Sequence, residues 1–212
     1  LVLSSCTKEF GLETKIVPPE GGQVFPPEGT YKEGTVVTLN AAPSGEYLFD
    51  KWSSDASGTE KTTDVVIDGF KNVTANFVLK KYELLLSVKG NGEITQTIVN
   101  TGKGTDYDSG TVVRLEAVPA YGYYFSSWSI DATGETNPID ITLDRPKNVI
   151  ATFEKLSYEL KINTLRNGKV IQEIINTGKG TDYEFGTTVR LTALPEPGSD
   201  FIKWQNDNRT SS

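Results

Sequence analysis

The feature that most constrains this chain is an internal repeat. Tryptophans occupy positions 52, 128 and 204, so their spacing is 128 − 52 = 76 and 204 − 128 = 76 residues. Residues 110–128 have counterparts in 34–52 and 186–204, with Gly, Thr, Val, Leu, Ala, Pro, Phe and Trp at matching places. A fixed period of this size predicts tandem copies of one supersecondary unit.

Within each copy the pattern of apolar residues is that of β-strands. Val113, Leu115 and Ala117 fall on one face of a strand, and Arg114 and Glu116 fall on the other, as expected for a strand with one buried face. Turn signals separate such stretches, and no window of a dozen residues has helical periodicity. We therefore predict an all-β chain: a tandem array of small antiparallel β modules of about 76 residues, each a two-layer sandwich or β-grasp-like unit.

The period also sets the predicted boundaries. We assign 1–11 to the end of a signal peptide, a lipobox and a tether, and the repeats to 12–80, 81–155 and 156–212. The opening strand at 12–17 is aligned with 82–88 and 158–163. The third repeat has no counterpart of the last two strands, so we expect a natural chain that continues and, in this sequence, an exposed edge over a half-covered core.

The aromatic residues of the fourth strand are predicted to form the core of each repeat. A residue that recurs with the repeat's own geometry is more often core than ligand platform. Phenylalanine and tryptophan three apart point to opposite faces of a flat strand, so burial of both predicts a bulge or sharp twist between them. The predicted core pairs are Phe49 and Trp52, Phe125 and Trp128, and Phe201 and Trp204.

The N-terminal residues point to membrane attachment. Leu3-Ser4-Ser5-Cys6 resembles the bacterial lipobox, in which the cysteine is lipidated and becomes the mature N-terminus, and Cys6 is the only cysteine. Thr7-Lys8-Glu9 is similar to the export tract of lipoproteins of the Bacteroidota. The resemblance implies a lipid anchor on Cys6, which holds a protein on a membrane without a spanning segment. The alternative is a free thiol at a frayed terminus.

Composition excludes several kinds of chemistry. The chain has no histidine, which rules out Ser-His and Cys-His pairs and histidine-bound zinc within this sequence. Its net charge is −7 and its basic residues are scattered, so a nucleic-acid partner is not expected. We predict no enzymatic activity and no cofactor.

Two kinds of residue remain as candidate sites. Asp106, Asp108, Asp182 and Glu184 lie in Gly-Thr-Asp-Tyr-acid loops, where acids most often cap turns. The same oxygens suit calcium, and a glycosidase would need two of them facing one cleft.

Aromatic residues are the second kind. Exposed aromatic faces stack on sugars, so Tyr121, Tyr123 and Tyr124, which occur together only in the second repeat, are the candidate ligand surface.

Three strings carry a family resemblance. They are Gly-Thr-x-Val-x-Leu-x-Ala-x-Pro at 110–119, Gly-Tyr-x-Phe-x-x-Trp at 122–128 and Lys-Asn-Val-x-Ala-x-Phe at 147–153. From about residue 12 to 204 the chain resembles the divergent internalin-type B-repeat modules of bacterial surface proteins. The resemblance implies β-grasp-like extracellular spacers or interaction units, often in lipid-anchored proteins, with no catalytic residues to carry over.

Together these features favour a non-enzymatic lipoprotein segment at the extracellular or outer-membrane surface. Its tandem repeats are interpreted as spacer, adhesion or interaction modules with a protein or glycan as the ligand. The alternative is a carbohydrate-binding accessory module of a surface glycan-utilisation system.

Overall fold

Alternating apolar strands build the first repeat as two stacked sheets. The computed structural model describes residues 7–99, 107–175 and 183–205. One sheet has the strand order β3-β1-β7-β5 and the other has the order β2-β4-β6. The strands are β1 (Glu9–Val17), β2 (Gly22–Phe25), β3 (Gly29–Lys32), β4 (Val36–Pro43), β5 (Tyr47–Ser54), β6 (Thr62–Val66) and β7 (Lys71–Leu79). A three-residue 3₁₀ turn, Pro19–Gly21, links β1 to β2.

The all-β prediction is confirmed, with one pairing that it did not include. Strands β1 and β7 lie side by side in parallel, with Leu12 opposite Lys71 and Val17 opposite Asn76. The other pairings of this repeat are antiparallel. The parallel pair puts the first and last strands of the repeat next to each other, so β7 is the strand that closes the module.

The core of the first repeat comes from the inward faces of both sheets. Strand β4 alternates between exposed and buried residues, and in β7 the buried Val73, Ala75 and Phe77 alternate with partly buried residues. This alternation confirms the period-two prediction and removes the apolar side chains from water, the main stabilising term in a small module. The buried residues are Leu12, Val24, Val37, Leu39, Ala41, Trp52, Val65, Ile67, Val73, Ala75 and Phe77.

The bulge predicted between Phe49 and Trp52, in the strand that is β5 of the structure, is present in the first repeat. The register between β5 and β7 shifts between Phe49 and Lys51, so Asp50 is an extra residue in the ladder. The bulge turns Phe49 and Trp52 towards each other, and their ring centroids lie 5.1 Å apart. A strand without it would carry the two rings on opposite faces.

The second repeat has six strands in two sheets of order β12-β10-β9 and β11-β13-β8. They are β8 (Leu84–Lys89), β9 (Gly92–Ile98), β10 (Thr111–Pro119), β11 (Tyr123–Ile130), β12 (Ile139–Leu143) and β13 (Lys147–Lys155). Most of its buried residues have buried counterparts in the first repeat: Val113, Leu115, Ala117, Trp128, Ile141, Leu143, Val149, Ala151 and Phe153.

The third repeat has four described strands in two-stranded sheets. Strand β14 (Ser157–Tyr158) pairs with β16 (Tyr183–Glu184), and β15 (Gly168–Ile174) pairs with β17 (Val189–Pro195). The printed sequence contains no counterpart of β12 or β13 after Trp204.

Two details of the predicted alignment differ from the structure. Phe10 pairs with Tyr31, as Tyr82 bonds to Tyr107 and Tyr158 pairs with Tyr183. Phe10 is therefore the counterpart of Tyr82, and the predicted match of Leu12 with Tyr82 is wrong by two residues. Strand β1 also begins at Glu9, so the last part of the predicted tether 1–11 is strand. The predicted alignment was shifted because Pro18 and Pro19 lengthen the first turn of this repeat relative to the other two.

The chain divides into two compact units according to which Cα atoms lie close together, and the division runs through the second repeat. The first unit comprises Leu1–Leu85, Gln96–Leu115 and Pro138–Val149, and the second comprises Leu86–Thr95, Glu116–Asn137 and Ile150–Ser212. Among the described residues, no helix is long and apolar enough to cross a bilayer.

Candidate interaction sites

The recurring tryptophans of the first two repeats lie beneath a loop. Trp52 is 2% exposed, its backbone N–H donates to Gly58 O at 2.8 Å, and its indole Nε1–H donates to Glu60 O at 2.9 Å. Trp128 is also 2% exposed and makes the same two bonds at the same distances in its own repeat. Because the ring and its N–H are both used internally, neither indole can serve as a sugar platform.

The loop over the tryptophan is held by backbone bonds that involve an aspartate. Asp55 follows Trp52 by three residues; its Oδ2 accepts a bond from the N–H of Asn72 at 2.7 Å, and its own N–H donates to Asn72 O at 2.9 Å. Ser54, just before it, has a φ of 76°, and Ile130 has a φ of 79° at the same place in the second repeat. This uncommon conformation occurs in both repeats, so it belongs to the shared loop geometry rather than to a site on one module.

The third tryptophan corrects the sequence prediction. Trp204 is 47% exposed and Phe201 is 46% exposed, so they do not lie in a closed core as predicted. Their rings keep the contact seen in the other repeats, with centroids 5.0 Å apart. In the first repeat Phe49 also packs edge-on against Phe77 of β7, at 5.6 Å. The third repeat has no counterpart of that strand in the sequence, and its aromatic pair is left uncovered for this reason.

The three tyrosines of the predicted ligand surface do not form one platform. Tyr123 and Tyr124 are adjacent on β11 and therefore point to opposite faces, the first half-buried and the second 43% exposed. The Tyr124 hydroxyl donates to Glu154 Oε2 at 2.8 Å, a bond that raises the pKa of Tyr124 above its ordinary value. Tyr121 is 89% exposed, and its ring meets Phe185 edge-on at 4.9 Å. Only Tyr121 offers a large exposed ring.

The candidate calcium ligands belong to the second and third repeats. Asp106 and Asp182 are outside the described residues. Asp108 forms an isolated antiparallel bridge with Lys81, and Glu184 lies in β16, where its carboxylate accepts a bond from Lys155 Nζ at 3.4 Å. In the part of the chain that the structure describes, no three acid, histidine or cysteine side chains are grouped to hold a metal ion. The two described acids instead take part in joining successive repeats.

The junction between the first and second repeats is a short set of backbone hydrogen bonds in the first unit. The N–H of Lys80 donates to Glu46 O at 2.9 Å, and the N–H of Ser109 donates to Lys80 O at 2.8 Å. The N–H of Tyr82 then donates to Tyr107 O at 3.0 Å. The linker between repeats is thus bonded on one side to a turn of the preceding module and on the other to a loop of the following one.

The junction between the second and third repeats, in the second unit, repeats this pattern one period later. The N–H of Leu156 donates to Gly122 O at 2.9 Å, and the N–H of Phe185 donates to Leu156 O at 2.7 Å. The pairing of Tyr158 with Tyr183 completes it. Each bonded position is 76 residues beyond its counterpart in the first junction, so the same connection is built twice.

Side chains distinguish the two junctions, and the first is polar. The Glu46 carboxylate accepts a short hydrogen bond from the Ser109 hydroxyl, and Lys80 Nζ donates to Gly45 O. Partial burial raises the pKa of the Tyr82 hydroxyl, and the charge of Glu46 together with its hydrogen bond raises that pKa further. The carboxylate of Glu46 is therefore the centre of this junction.

The second junction is aromatic where the first is polar. Gly122 takes the place of Glu46, and Phe185 takes the place of Ser109. Gly122 is buried with a φ of +83°, and a Cβ added there would lie 2.1 Å from Phe185 Cδ1 and 2.5 Å from its Cγ. The Phe185 ring thus covers a glycine that has no room for a side chain, and Tyr121 packs against the same ring. The two junctions share a backbone but differ in side-chain chemistry.

Elsewhere the modules carry exposed ion pairs that hold neighbouring strands. Arg114 binds Asp140 through two bonds, Nε to Oδ1 at 2.8 Å and Nη2 to Oδ2 at 2.9 Å. The hydrogen bond from Arg114 lowers the pKa of Asp140 below its usual value. In the first repeat an uncharged donor takes the place of the arginine, and Thr38 Oγ1 donates to Asp64 Oδ1 at 2.5 Å. These bonds act within a repeat and mark no ligand site.

Sequence reasoning missed the junctions because their residues resemble ordinary turns. The bonds are made by main-chain atoms, which leave no residue-type signature. One signal was available in the sequence. The Gly-Thr-Asp-Tyr string, which was assigned to calcium binding or turn capping, ends at the tyrosine that takes part in each described junction, Tyr107 or Tyr183.

One of three comparisons with known proteins gave a match. A family model described as "Divergent InlB B-repeat domain" matches residues 12–81, 82–157 and 158–212. A search of curated proteins and a search of solved structures each gave no significant match.

Proposed function

Because the chain belongs to the divergent InlB B-repeat family, matched by three consecutive repeats, we propose that it acts without catalysis as a spacer at the bacterial cell surface. Membership in this family indicates a tandem-repeat module of cell-surface or extracellular proteins. The spacer role is our proposal, and it rests chiefly on the two junctions.

A spacer needs connections that fix each module relative to the next. A flexible linker would let adjacent modules reorient freely, as domains with small interfaces do. Here each linker makes main-chain bonds on both sides, at positions that recur after one period. In repeat proteins such nearest-neighbour contacts add to the stability of the individual modules. The recurring junction is the observation that carries the proposal.

The bonding partners of the acids in the repeats support a role without catalysis. The Asp55 carboxylate accepts a bond from the backbone of Asn72, and the Glu184 carboxylate pairs with Lys155. Asp108 joins Lys81 through a main-chain bridge. A carboxylate committed to the backbone or to an ion pair is a poor general acid or nucleophile unless its pKa and surroundings are arranged for that task. These acids act in folding and in joining modules.

The spacer proposal predicts narrow distances across each junction. In a Cys6→Ser background, spin labels at Thr59→Cys and Thr142→Cys report on the first junction, and labels at Thr133→Cys and Lys169→Cys report on the second. All four positions are exposed. Pulsed electron spin resonance is expected to give one narrow distance distribution for each pair.

The control for label motion is a pair within the first repeat, Glu13→Cys with Thr59→Cys, both of them exposed. The cross-junction distributions should be about as narrow as this one. A broad distribution typical of a flexible linker would remove the structural basis of the spacer role.

We further propose that Cys6, which lies outside the described residues, carries a lipid anchor. The lipobox-like sequence before it supports this, and acyl chains bind membranes through the burial of their methylene groups. In cells expressing the natural gene and fed a radioactive fatty acid, Cys6→Ala is expected to abolish labelling. Ser5→Ala keeps a small residue before the cysteine and should retain labelling. Undiminished labelling of Cys6→Ala would refute the anchor.

The carbohydrate-binding alternative has less support from the described residues. Its candidate surface reduces to Tyr121, whose ring already contacts Phe185 at the second junction. Trp52 and Trp128, the other candidates for stacking on a sugar, are buried. The spacer role therefore remains the function that we propose.

A further inference from the structure

The residues that meet at a junction change together from the first junction to the second. Each junction brings together a turn of the preceding repeat, the linker and a loop of the following repeat. At the first junction these three places hold Glu46, Lys80 and Ser109, and one period later they hold Gly122, Leu156 and Phe185. Every place with a charged or polar side chain at the first junction is therefore apolar, or has no side chain, at the second.

The two turns make the same hydrogen bond with different backbone conformations. In each turn the fourth N–H donates to the first C=O at 3.0 Å. Gly122, the third residue of its turn, has a φ of +83°, which is the conformation that a type II turn requires of glycine at this place. The same place in the first repeat belongs to Glu46, whose φ is not positive. Only the first turn is therefore built to carry a side chain towards the next repeat.

The aromatic loop residue fits a turn that carries glycine. The Phe185 ring lies where a side chain on Gly122 would begin, since an added Cβ would be 2.1 Å from Phe185 Cδ1. Tyr121, the residue before this glycine, packs edge-on against the same ring at 4.9 Å. Any larger residue in the turn would have to displace the ring, so an aromatic loop residue excludes every turn residue except glycine.

The acidic turn fits a small loop residue with a hydroxyl group. The Glu46 carboxylate accepts hydrogen bonds from the hydroxyls of Ser109 and Tyr82. An aromatic ring in place of Ser109 would occupy the space of this carboxylate and would remove one of its donors. A carboxylate that is covered by an apolar ring and has lost a donor costs free energy. The acidic turn thus excludes an aromatic loop residue.

We propose that the turn residue and the loop residue form matched pairs that determine which repeat can follow which. A repeat with a glycine turn accepts a neighbour whose loop presents an aromatic ring, and a repeat with an acidic turn accepts a neighbour whose loop presents a hydroxyl. The selectivity comes from exclusion of the wrong neighbour, and it opposes the misassembly to which repeat proteins are prone. The inference rests on the proposed spacer role and adds to it the choice of neighbour.

The test converts the loop of the first junction to the aromatic kind. With the label pair of the first junction in place, Ser109→Phe is expected to broaden the distance distribution. The Tyr82 amide, which donates to Tyr107 O, should lose about tenfold or more of its protection from hydrogen exchange as the junction opens locally. Adding Glu46→Gly should restore the narrow distribution and most of the protection, because the new ring then faces a glycine.

Two single variants separate the ring from the loss of the polar pair. Ser109→Ala removes the hydroxyl without adding bulk, and Glu46→Gly alone removes the acceptor. Both should keep the narrow distribution, because the main-chain bonds of the junction remain. The label pair within the first repeat should stay narrow in every variant, and the indole N–H signal of Trp128 should keep its position, which shows that both repeats remain folded.

Three outcomes would overturn the matched pairs. They are a narrow distribution in Ser109→Phe, a double variant as broad as Ser109→Phe, and a broad distribution in Ser109→Ala. Each of them leaves the spacer role in place, because that role depends on the distributions of the protein without these changes. A broad distribution in the protein without these changes would instead remove the spacer role, and the matched pairs with it.

Discussion

Replacing Trp52 with alanine is expected to destabilise the first repeat by about 3–5 kcal/mol, the usual cost of removing a large buried aromatic ring. The indole is 2% exposed and packs against Phe49 at a centroid distance of 5.1 Å. Its loss also leaves Glu60 O without the N–H that it accepts. Urea unfolding, followed by circular dichroism and by the amide signals of the first repeat, measures the change.

The chain supplies a matched control in its third tryptophan. Trp204 has the same place in the repeat, and its ring packs on Phe201 as that of Trp52 packs on Phe49, but it is 47% exposed. Trp204→Ala is expected to cost about 1 kcal/mol or less, as substitutions at half-exposed positions usually do. Equal losses for Trp52→Ala and Trp204→Ala would contradict the assignment of Trp52 to a closed core.

The contrast between these two tryptophans shows what the sequence can and cannot predict. The 76-residue period, the alternation in β4 and β7, and the bulge between Phe49 and Trp52 follow from local patterns, because side-chain direction along a strand has a period of two. The burial of a tryptophan depends on a strand more than twenty residues further along the chain. Similar local sequence therefore led to the wrong prediction for Trp204 and Phe201.

Strand pairing was the second part that local pattern could not supply. Strand β1 pairs with β3 and, in parallel, with β7, and both pairings join segments that are not adjacent in sequence. Apolar alternation does not specify the partner of a strand. The tyrosines of the second repeat show the same limit. Tyr123 and Tyr124 looked like one cluster, but adjacent positions on β11 separate them to opposite faces. The sequence pattern did not predict contacts between one repeat and the next, such as that of Tyr121 with Phe185.

The second large effect is expected at the aromatic junction, where Gly122→Ala should loosen the third repeat from the second. The new Cβ would lie 2.1 Å from Phe185 Cδ1 and 2.5 Å from Phe185 Cγ. Rotation of the ring about its own axis leaves Cγ in place, so the whole side chain must move. Overpacking of this kind costs about 1–3 kcal/mol. The Phe185 amide, which donates to Leu156 O, is expected to lose about tenfold or more of its protection from hydrogen exchange.

Gly186→Ala separates this clash from backbone strain. Gly186 has a φ of +86°, close to the +83° of Gly122, but an added Cβ there meets nothing within 4 Å. Both variants suffer the strain of a left-handed alanine, about 1–2 kcal/mol, and only Gly122→Ala displaces Phe185. The label pair Thr133→Cys and Lys169→Cys should broaden in Gly122→Ala alone.

The double variant Gly122→Ala with Phe185→Ser tests the cause directly. Serine is the residue at this place in the first junction, where Ser109 bonds Glu46. Removing the ring makes room for the new Cβ and should restore the narrow label distance, leaving only the backbone strain. If the double variant stays as broad as Gly122→Ala, or if Gly186→Ala broadens the distance equally, the Phe185 ring is not what holds the two repeats together, and the junction depends on its main-chain bonds alone.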